Sequence, residues 1–182
     1  TAYDHTARRL WILNVPGPKV AAYGVSLFLD MAWNINCVSP STVGNHLHAW
    51  LAQQFGQAAA SKLLPAMKSF YRLCGIRRPE FMGWSQVELD KKKYNRGLSP
   101  MSDTEFAADE FGNELERYLN SYEDIKAQVA EAEKLIRPEL ADAFFAATKY
   151  PVLSAAAMAT KTLHAQEARH IGRPDSFNSD EE

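Results

Sequence analysis

The chain is poor in the residues that build small reactive sites. It has two cysteines in 182 residues, Cys37 and Cys74, with neither CxxC nor Cys/His spacing, so neither a disulfide framework nor a zinc site is suggested. Both read as buried small hydrophobes, which leaves the redox compartment undecided. No apolar run approaches the roughly 20 residues that span a bilayer, and "TAYDHTARRL" is no signal peptide. Charge of one sign is also lacking: the net charge is -2, so no long-range field favours nucleic acid or an anionic membrane. There is no GxSxG, no phosphate-cradling glycine loop, no HExxH and no internal repeat. The chain starts at Thr rather than Met, which reads as a cut piece of something larger.

What is present suffices for one domain, or one and a piece, since 46% of residues are hydrophobic and 23% charged. One strand-like segment stands out. In "RLWILNV", Arg9 to Val15, alternation points Leu10, Ile12 and Asn14 one way and Trp11, Leu13 and Val15 the other. Both faces are apolar up to Asn14, as in a strand buried on both sides. A single strand cannot satisfy its own backbone, so its neighbours are expected outside this sequence. After Pro16-Gly17-Pro18 the pattern turns helical through Val20, Tyr23, Leu27 and Met31, with few polar positions, which predicts a helix covered on most sides.

From Ser39 the chain reads as helices. Ser39-Pro40 marks a start, Val43, Leu47, Trp50 and Leu51 form a stripe, and Gly56 a stop. A helix over about 57–74 contains Pro65, which should kink or split it, and Gly75 closes it. Residues 81–103 show no sustained period and read as a long surface excursion: a lid, a docking loop or an insertion. Over 106–136, Phe111, Leu115, Tyr118, Leu119, Tyr122, Ile125, Val129 and Ala132 give one buried stripe on a polar helix. Pro138 begins another helix, Tyr150-Pro151 interrupts, and an Ala-rich helix follows before a polar tail.

Each chemical signal has a plainer reading beside it. His46 and His48, two apart on a helix, diverge and cannot share a metal by themselves, so they read as surface or interface histidines. The acidic set Asp103, Glu105, Asp109, Glu110, Glu114 and Glu116 could hide a carboxylate pair but fits a solvated face better. Lys91 to Lys93 lack the aromatic ladder of a polyanion site. Arg77 and Arg78 follow a helix C-terminus, where cations suit the dipole. Asn14 differs, because it ends an apolar strand just before a strand-to-helix turn. In a (β/α)8 barrel it would point at substrate; without a barrel it would bond the turn.

At these residues the chain resembles glycoside hydrolase family 115, the xylan α-1,2-glucuronidases. "RLWILNV", Lys19 and "SLFLDMAWN" look like the last barrel strand and following helix of that family. "WLAQQFG" at Trp50 to Gly56, "RRPE" at Arg77 to Glu80 and "DAFFAATKYPVLSAAAM" at Asp142 to Met158 look like its helical domain. The blocks keep their order from Arg9 to about His170. The resemblance implies a secreted or periplasmic enzyme that removes glucuronic acid or its 4-O-methyl form from xylan by inversion, without a cofactor or metal. Such a reaction takes an acid and a base about 6.5 to 9.5 Å apart. Both are expected on earlier strands, outside this chain, which alone should be inactive. Asn14 matches the family residue that hydrogen-bonds the uronic acid. Lys19 also matches, as a carboxylate contact or a shaper of the turn. The departure lies between them, where the family usually has Gly-Asp and this chain has Pro16-Gly17-Pro18. Asp30, in the matched "FLD" block, reads as structural.

The expected architecture is mainly α: residues 1–36 as the terminal βα unit of a truncated (β/α)8 barrel, and 37–182 as a helical bundle with a long loop near 81–103. Its partners would be glucuronoxylan or its oligosaccharides, not nucleic acid or membrane, and the bundle could supply a subunit contact in a homodimer. The competing reading is a stand-alone helical interaction module, or a carbohydrate-binding one using Trp84 and Tyr94.

Overall fold

A computed structural model describes residues 2–15, 17–82 and 103–171. Described residues form α1 (Ala22–Trp33), α2 (Val43–Phe55), α3 (Gln57–Ile76), a 3₁₀ turn (Pro79–Phe81), α4 (Glu114–Glu133), a second 3₁₀ turn (Pro138–Leu140), α5 (Ala141–Phe144), a π-helical turn (Phe145–Lys149) and α6 (Tyr150–Ile171). The mainly helical expectation holds. The loop near 81–103, with Trp84, Tyr94 and the lysine run, lies almost wholly outside the described residues, as does the tail after Ile171.

The expected strand does not form. Among the described residues there is no strand, and residues 10–15 are neither strand nor helix. The reason is physical: strand geometry persists when a neighbour takes up its N–H and C=O groups, and no described segment does so. Alternation survives in part. Leu10 and Ile12 are 76% and 82% exposed and Leu13 41%, while Trp11 and Val15 are half-buried. Trp11 packs its ring on Tyr3 and Phe28, centroids 6.5 and 5.7 Å away, and donates its indole N–H to the Ala7 carbonyl.

Helix starts and stops follow local chemistry. α1 begins where the Ala21 N–H bonds the Gly17 carbonyl at 3.1 Å. Ser39-Pro40 opens a turn rather than a helix: the Thr42 N–H returns to the Ser39 carbonyl at 3.0 Å, with Pro40 at the position that favours its fixed φ. α2 therefore starts at Val43. Gly56, at φ 86°, makes the corner into α3 in a conformation that suits glycine. α3 then runs through Pro65 unbroken. An interior proline costs about 3 kcal/mol, and the burial of neighbouring Leu63, Ala66 and Met67 offsets it. Tyr150-Pro151 does not interrupt either. Pro151 has no N–H to give the preceding turn, and that turn widens to π geometry while the helix continues into α6.

The stripe expected over 106–136 is real from Leu115 onward: Leu115, Tyr118, Tyr122, Ile125, Val129 and Ala132 are buried, with Leu119 half-buried. Phe111 is not part of it. It is 75% exposed, and Phe111, Gly112 and Asn113 all have positive φ, which ends any helix there. α4 is capped instead by Asn113, whose Oδ1 accepts the Glu116 N–H at 3.1 Å while its Nδ2 donates to Glu116 Oε2 at 2.8 Å. The cysteines depart from expectation too: Cys37 is exposed and Cys74 only half-buried, both without a disulfide.

The chain divides into two compact units, 1–68 with 127–151, and 69–126 with 152–182. The core of the first unit holds Leu47, Leu51, Phe55, Leu63, Met67 and Phe144. Edge-on rings run through it, Tyr23 to Trp50 at 5.5 Å, Trp50 to Phe55 at 6.4 Å and Phe55 to Phe144 at 5.6 Å. Lys149 closes it with both Glu133 carboxylate oxygens at 2.7 and 2.8 Å. In the second unit Phe70, Leu73, Phe106, Tyr118 and Tyr122 are buried, as are Ala155, Ala156 and Ala159 on the small face of α6. Buried Gln166 accepts from the Thr104 N–H at 2.8 Å and its hydroxyl at 2.6 Å, and donates to the Phe106 carbonyl at 2.8 Å.

Candidate functional site

Asn14 and Lys19 flank the turn that leads into α1, and both are exposed. No hydrogen bond joins the Asn14 side chain to another described residue, so it does not brace the turn. The turn is closed by backbone, through the Ala21-to-Gly17 bond. An amide and an ammonium standing free on a short turn can respectively exchange hydrogen bonds with hydroxyls and pair with a carboxylate.

Carboxylates among the described residues are largely committed elsewhere. Asp103 receives Arg169 Nε and Nη2 at 2.9 and 2.7 Å, Glu105 receives Arg77 at 2.9 Å, and Asp109 lies 3.7 Å from His170. With Glu116 engaged at the α4 cap, the acidic set reads as fold-forming. No group of three or more His, Cys, Asp or Glu among the described residues is arranged to hold a metal.

The helix that carries the turn is held by α2. The Tyr23 hydroxyl reaches the Val43 carbonyl at 3.4 Å, Trp50 Nε1 donates to Ser26 Oγ at 3.1 Å, and His46 Nε2 meets Asp30 Oδ2 at 2.9 Å. Burial holds the Tyr23 phenol above its ordinary pKa. Positions 23, 26 and 30 on α1, and 43, 46 and 50 on α2, share the i, i+3, i+7 spacing of one helix face. Asp30 is thus structural, as expected, and His46 is an interface residue. Sequence reading missed the pairing, although the spacing of the polar positions on both helices was its signal.

A cleft of about 440 Å³ lies at the other end of α1, lined by Tyr3, Arg8, Arg9, Trp11, Trp33 and Asn34. Twelve helical residues, about 18 Å, separate that end from Lys19. Its Arg8 is occupied by Tyr3, whose ring lies 4.8 Å from the guanidinium. The cleft is therefore distinct from the Asn14–Lys19 turn.

Comparison with known proteins gives the context the turn lacks. Residues 1–81 match the sequence profile of Glycosyl hydrolase family 115. No curated protein matches the chain. A solved structure, described as a novel family GH115 4-O-methyl-α-glucuronidase, BtGH115A, with specificity for decorated arabinogalactans, is 35% identical, with a TM-score of 0.76. The match covers 95% of this chain and 22% of that one. Both matches, one over the first 81 residues and one over nearly the whole length, place the chain in glycosyl hydrolase family 115.

Proposed function

We propose that the chain is the portion of a glycoside hydrolase that completes its catalytic barrel and carries the helical domain behind it, in an enzyme that removes glucuronic acid or 4-O-methylglucuronic acid branches from xylan. The observation that carries this reading is the 35% identity to a 4-O-methyl-α-glucuronidase across 95% of the chain. Arg9 to Val15 is the last barrel strand in this reading. Its support is the exposed face of Leu10 and Ile12 and the thin cover of α1, of whose residues Tyr23 alone is buried. Apolar side chains at that density are expected to be covered in a complete barrel.

Asn14 then ends the strand at the active-site mouth and bonds hydroxyls of the uronic acid, while Lys19 faces its carboxylate. The reaction is inverting: one carboxylic acid protonates the leaving xylosyl oxygen, and one carboxylate takes a proton from the water that attacks the anomeric carbon from the opposite face. We place both on barrel strands outside this chain. A polymeric substrate implies a secreted or periplasmic enzyme, and the helical domain offers a surface for a homodimer.

The test is release of 4-O-methylglucuronic acid from aldouronic acids and, in parallel, from decorated arabinogalactan. The enzyme carrying this chain should turn over the aldouronic acids, with kcat/KM falling about tenfold or more in Asn14→Ala. The 182-residue chain alone should release none. Steady turnover by the chain alone would overturn the placement of the carboxylates, and wild-type kinetics in Asn14→Ala the role of the turn.

A further inference from the structure

We infer that Trp50 and His46 of α2 are positioning residues for the Asn14–Lys19 turn, acting through Ser26 and Asp30 of α1; this rests on the reading of that turn as a substrate contact. Within this chain α1 is lightly held: besides the ring contact of Phe28 with Trp11 at 5.7 Å, its side-chain hydrogen bonds go to α2. Only Tyr23 of its 12 residues is buried, and its first turn has no side-chain cap. Ala22, Val25, Ser26, Leu27, Phe28 and Met31 are half-buried. To that partial packing α2 adds three side-chain hydrogen bonds, at Tyr23, Ser26 and Asp30.

Their geometry is restrictive. Contacts at i, i+3 and i+7 lie on one face, and rotating α1 by a single residue, about 100°, moves all three donors and acceptors out of reach. Rings add to the constraint, since Tyr23 meets His46 at 5.7 Å and Trp50 at 5.5 Å, and Trp50 is itself held edge-on by buried Phe55 at 6.4 Å. The path from Phe55 through Trp50 and Ser26 therefore links the packed core to the helix that carries the turn. From Ser26 the chain runs back one turn to Tyr23, and then to the closure between Ala21 and Gly17. Pro18 has a fixed φ within that closure. Asn14 stands three residues before Gly17, so in the proposed barrel it is tied to α1 through the turn as well as to the neighbours of its strand. A displacement of about 1 Å at a binding group far from the chemistry can cost on the order of a hundredfold.

The test uses the whole enzyme, with kcat and KM on an aldouronic acid and Tm for every variant. Trp50→Phe keeps the ring but removes the N–H, and Ser26→Ala removes its acceptor. Each should lower kcat/KM about five- to twentyfold, mainly through KM, with Tm within about 2 °C of wild type. His46→Leu should lose a similar factor, and His46→Gln, which keeps an N–H for Asp30, should recover most of it. Wild-type kcat/KM in Trp50→Phe and His46→Leu, alongside impaired Asn14→Ala, would overturn the positioning role and leave the substrate role of Asn14 standing. Wild-type kinetics in Asn14→Ala would remove both. A loss that tracks Tm and is not recovered by His46→Gln would likewise reduce the seam to ordinary packing.

Discussion

Arg77 donates to the Glu105 carboxylate at 2.9 Å and, from its second terminal nitrogen, to the Phe81 carbonyl at 3.2 Å. One guanidinium thereby ties the segments that flank residues 83–102. Its two ends are unequal: the Arg77 side chain is 17% exposed and Glu105 75%. Losing the arginine removes bonds from a desolvated group, while losing the carboxylate removes one screened partner. Arg77→Met should cost about 1–3 kcal/mol and Glu105→Gln less than about 1 kcal/mol in urea unfolding. Equal losses would contradict this division.

Gln166 carries a larger share of the same region. It serves the Thr104 N–H, the Thr104 hydroxyl and the Phe106 carbonyl in a buried site. Gln166→Met preserves length but strands those groups, so it should destabilise by about 2–4 kcal/mol, well beyond Arg77→Met. Amide exchange should rise at Thr104 first.

Tyr118 and Tyr122 are 4% and 1% exposed, with rings meeting edge-on at 5.4 Å. Burial raises the pKa of both phenols. The folded state therefore holds these protons more tightly than the unfolded state, whose phenols ionise near about pH 10. Their contribution is intact below that pH and is lost as pH rises above it. Phenolate absorbance from these two residues should appear together with loss of helical circular dichroism. The double change Tyr118→Phe, Tyr122→Phe should move alkaline unfolding to higher pH; an unmoved midpoint would show that other groups set it.

Asn113 both caps α4 and holds φ at 52°. Asn113→Ala loses the cap and puts a Cβ in the left-handed region without the local bonding asparagine offers, at about 1–2 kcal/mol. Asn113→Gly accepts that conformation and should cost only a few tenths of that range. Thermal melts should rank the three as Asn, Gly, Ala; Ala above Gly would count against the cap geometry.

Helix existence and much of the core were legible because they rest on local periodicity: Leu47 and Leu51 on α2, and most of the stripe from Leu115 to Ala132 on α4, are buried as spacing requires, whereas Val43 is exposed and Trp50 and Leu119 are half-buried. What spacing left open was mostly non-local. Arg9 to Val15 has strand-like residues and forms no strand among the described residues, because strand geometry is a property of a pair and its expected neighbours lie outside this sequence. Phe111 fits the period of α4 but precedes its cap, and the "NELE" run at Asn113 was the available sign. Tyr150-Pro151 read as a break because proline removes a donor, and a wider turn absorbs that loss without ending the helix. Asn14 came from its place at the end of an apolar segment and from family likeness, and Lys19 from family likeness alone. The structure places them beside one exposed turn, while the Trp50–Ser26 and His46–Asp30 contacts that hold the next helix depend on two faces meeting, which neither helix shows alone.

The most direct test of the central claim is amide hydrogen exchange at Leu10 to Val15 in the whole enzyme. If this segment is the closing barrel strand, its N–H groups are paired on both sides and should exchange at least about a thousandfold more slowly than an unstructured chain. Exchange at the unstructured rate would show that no sheet receives the segment, and the assignment of Asn14 to an active-site mouth would go with it.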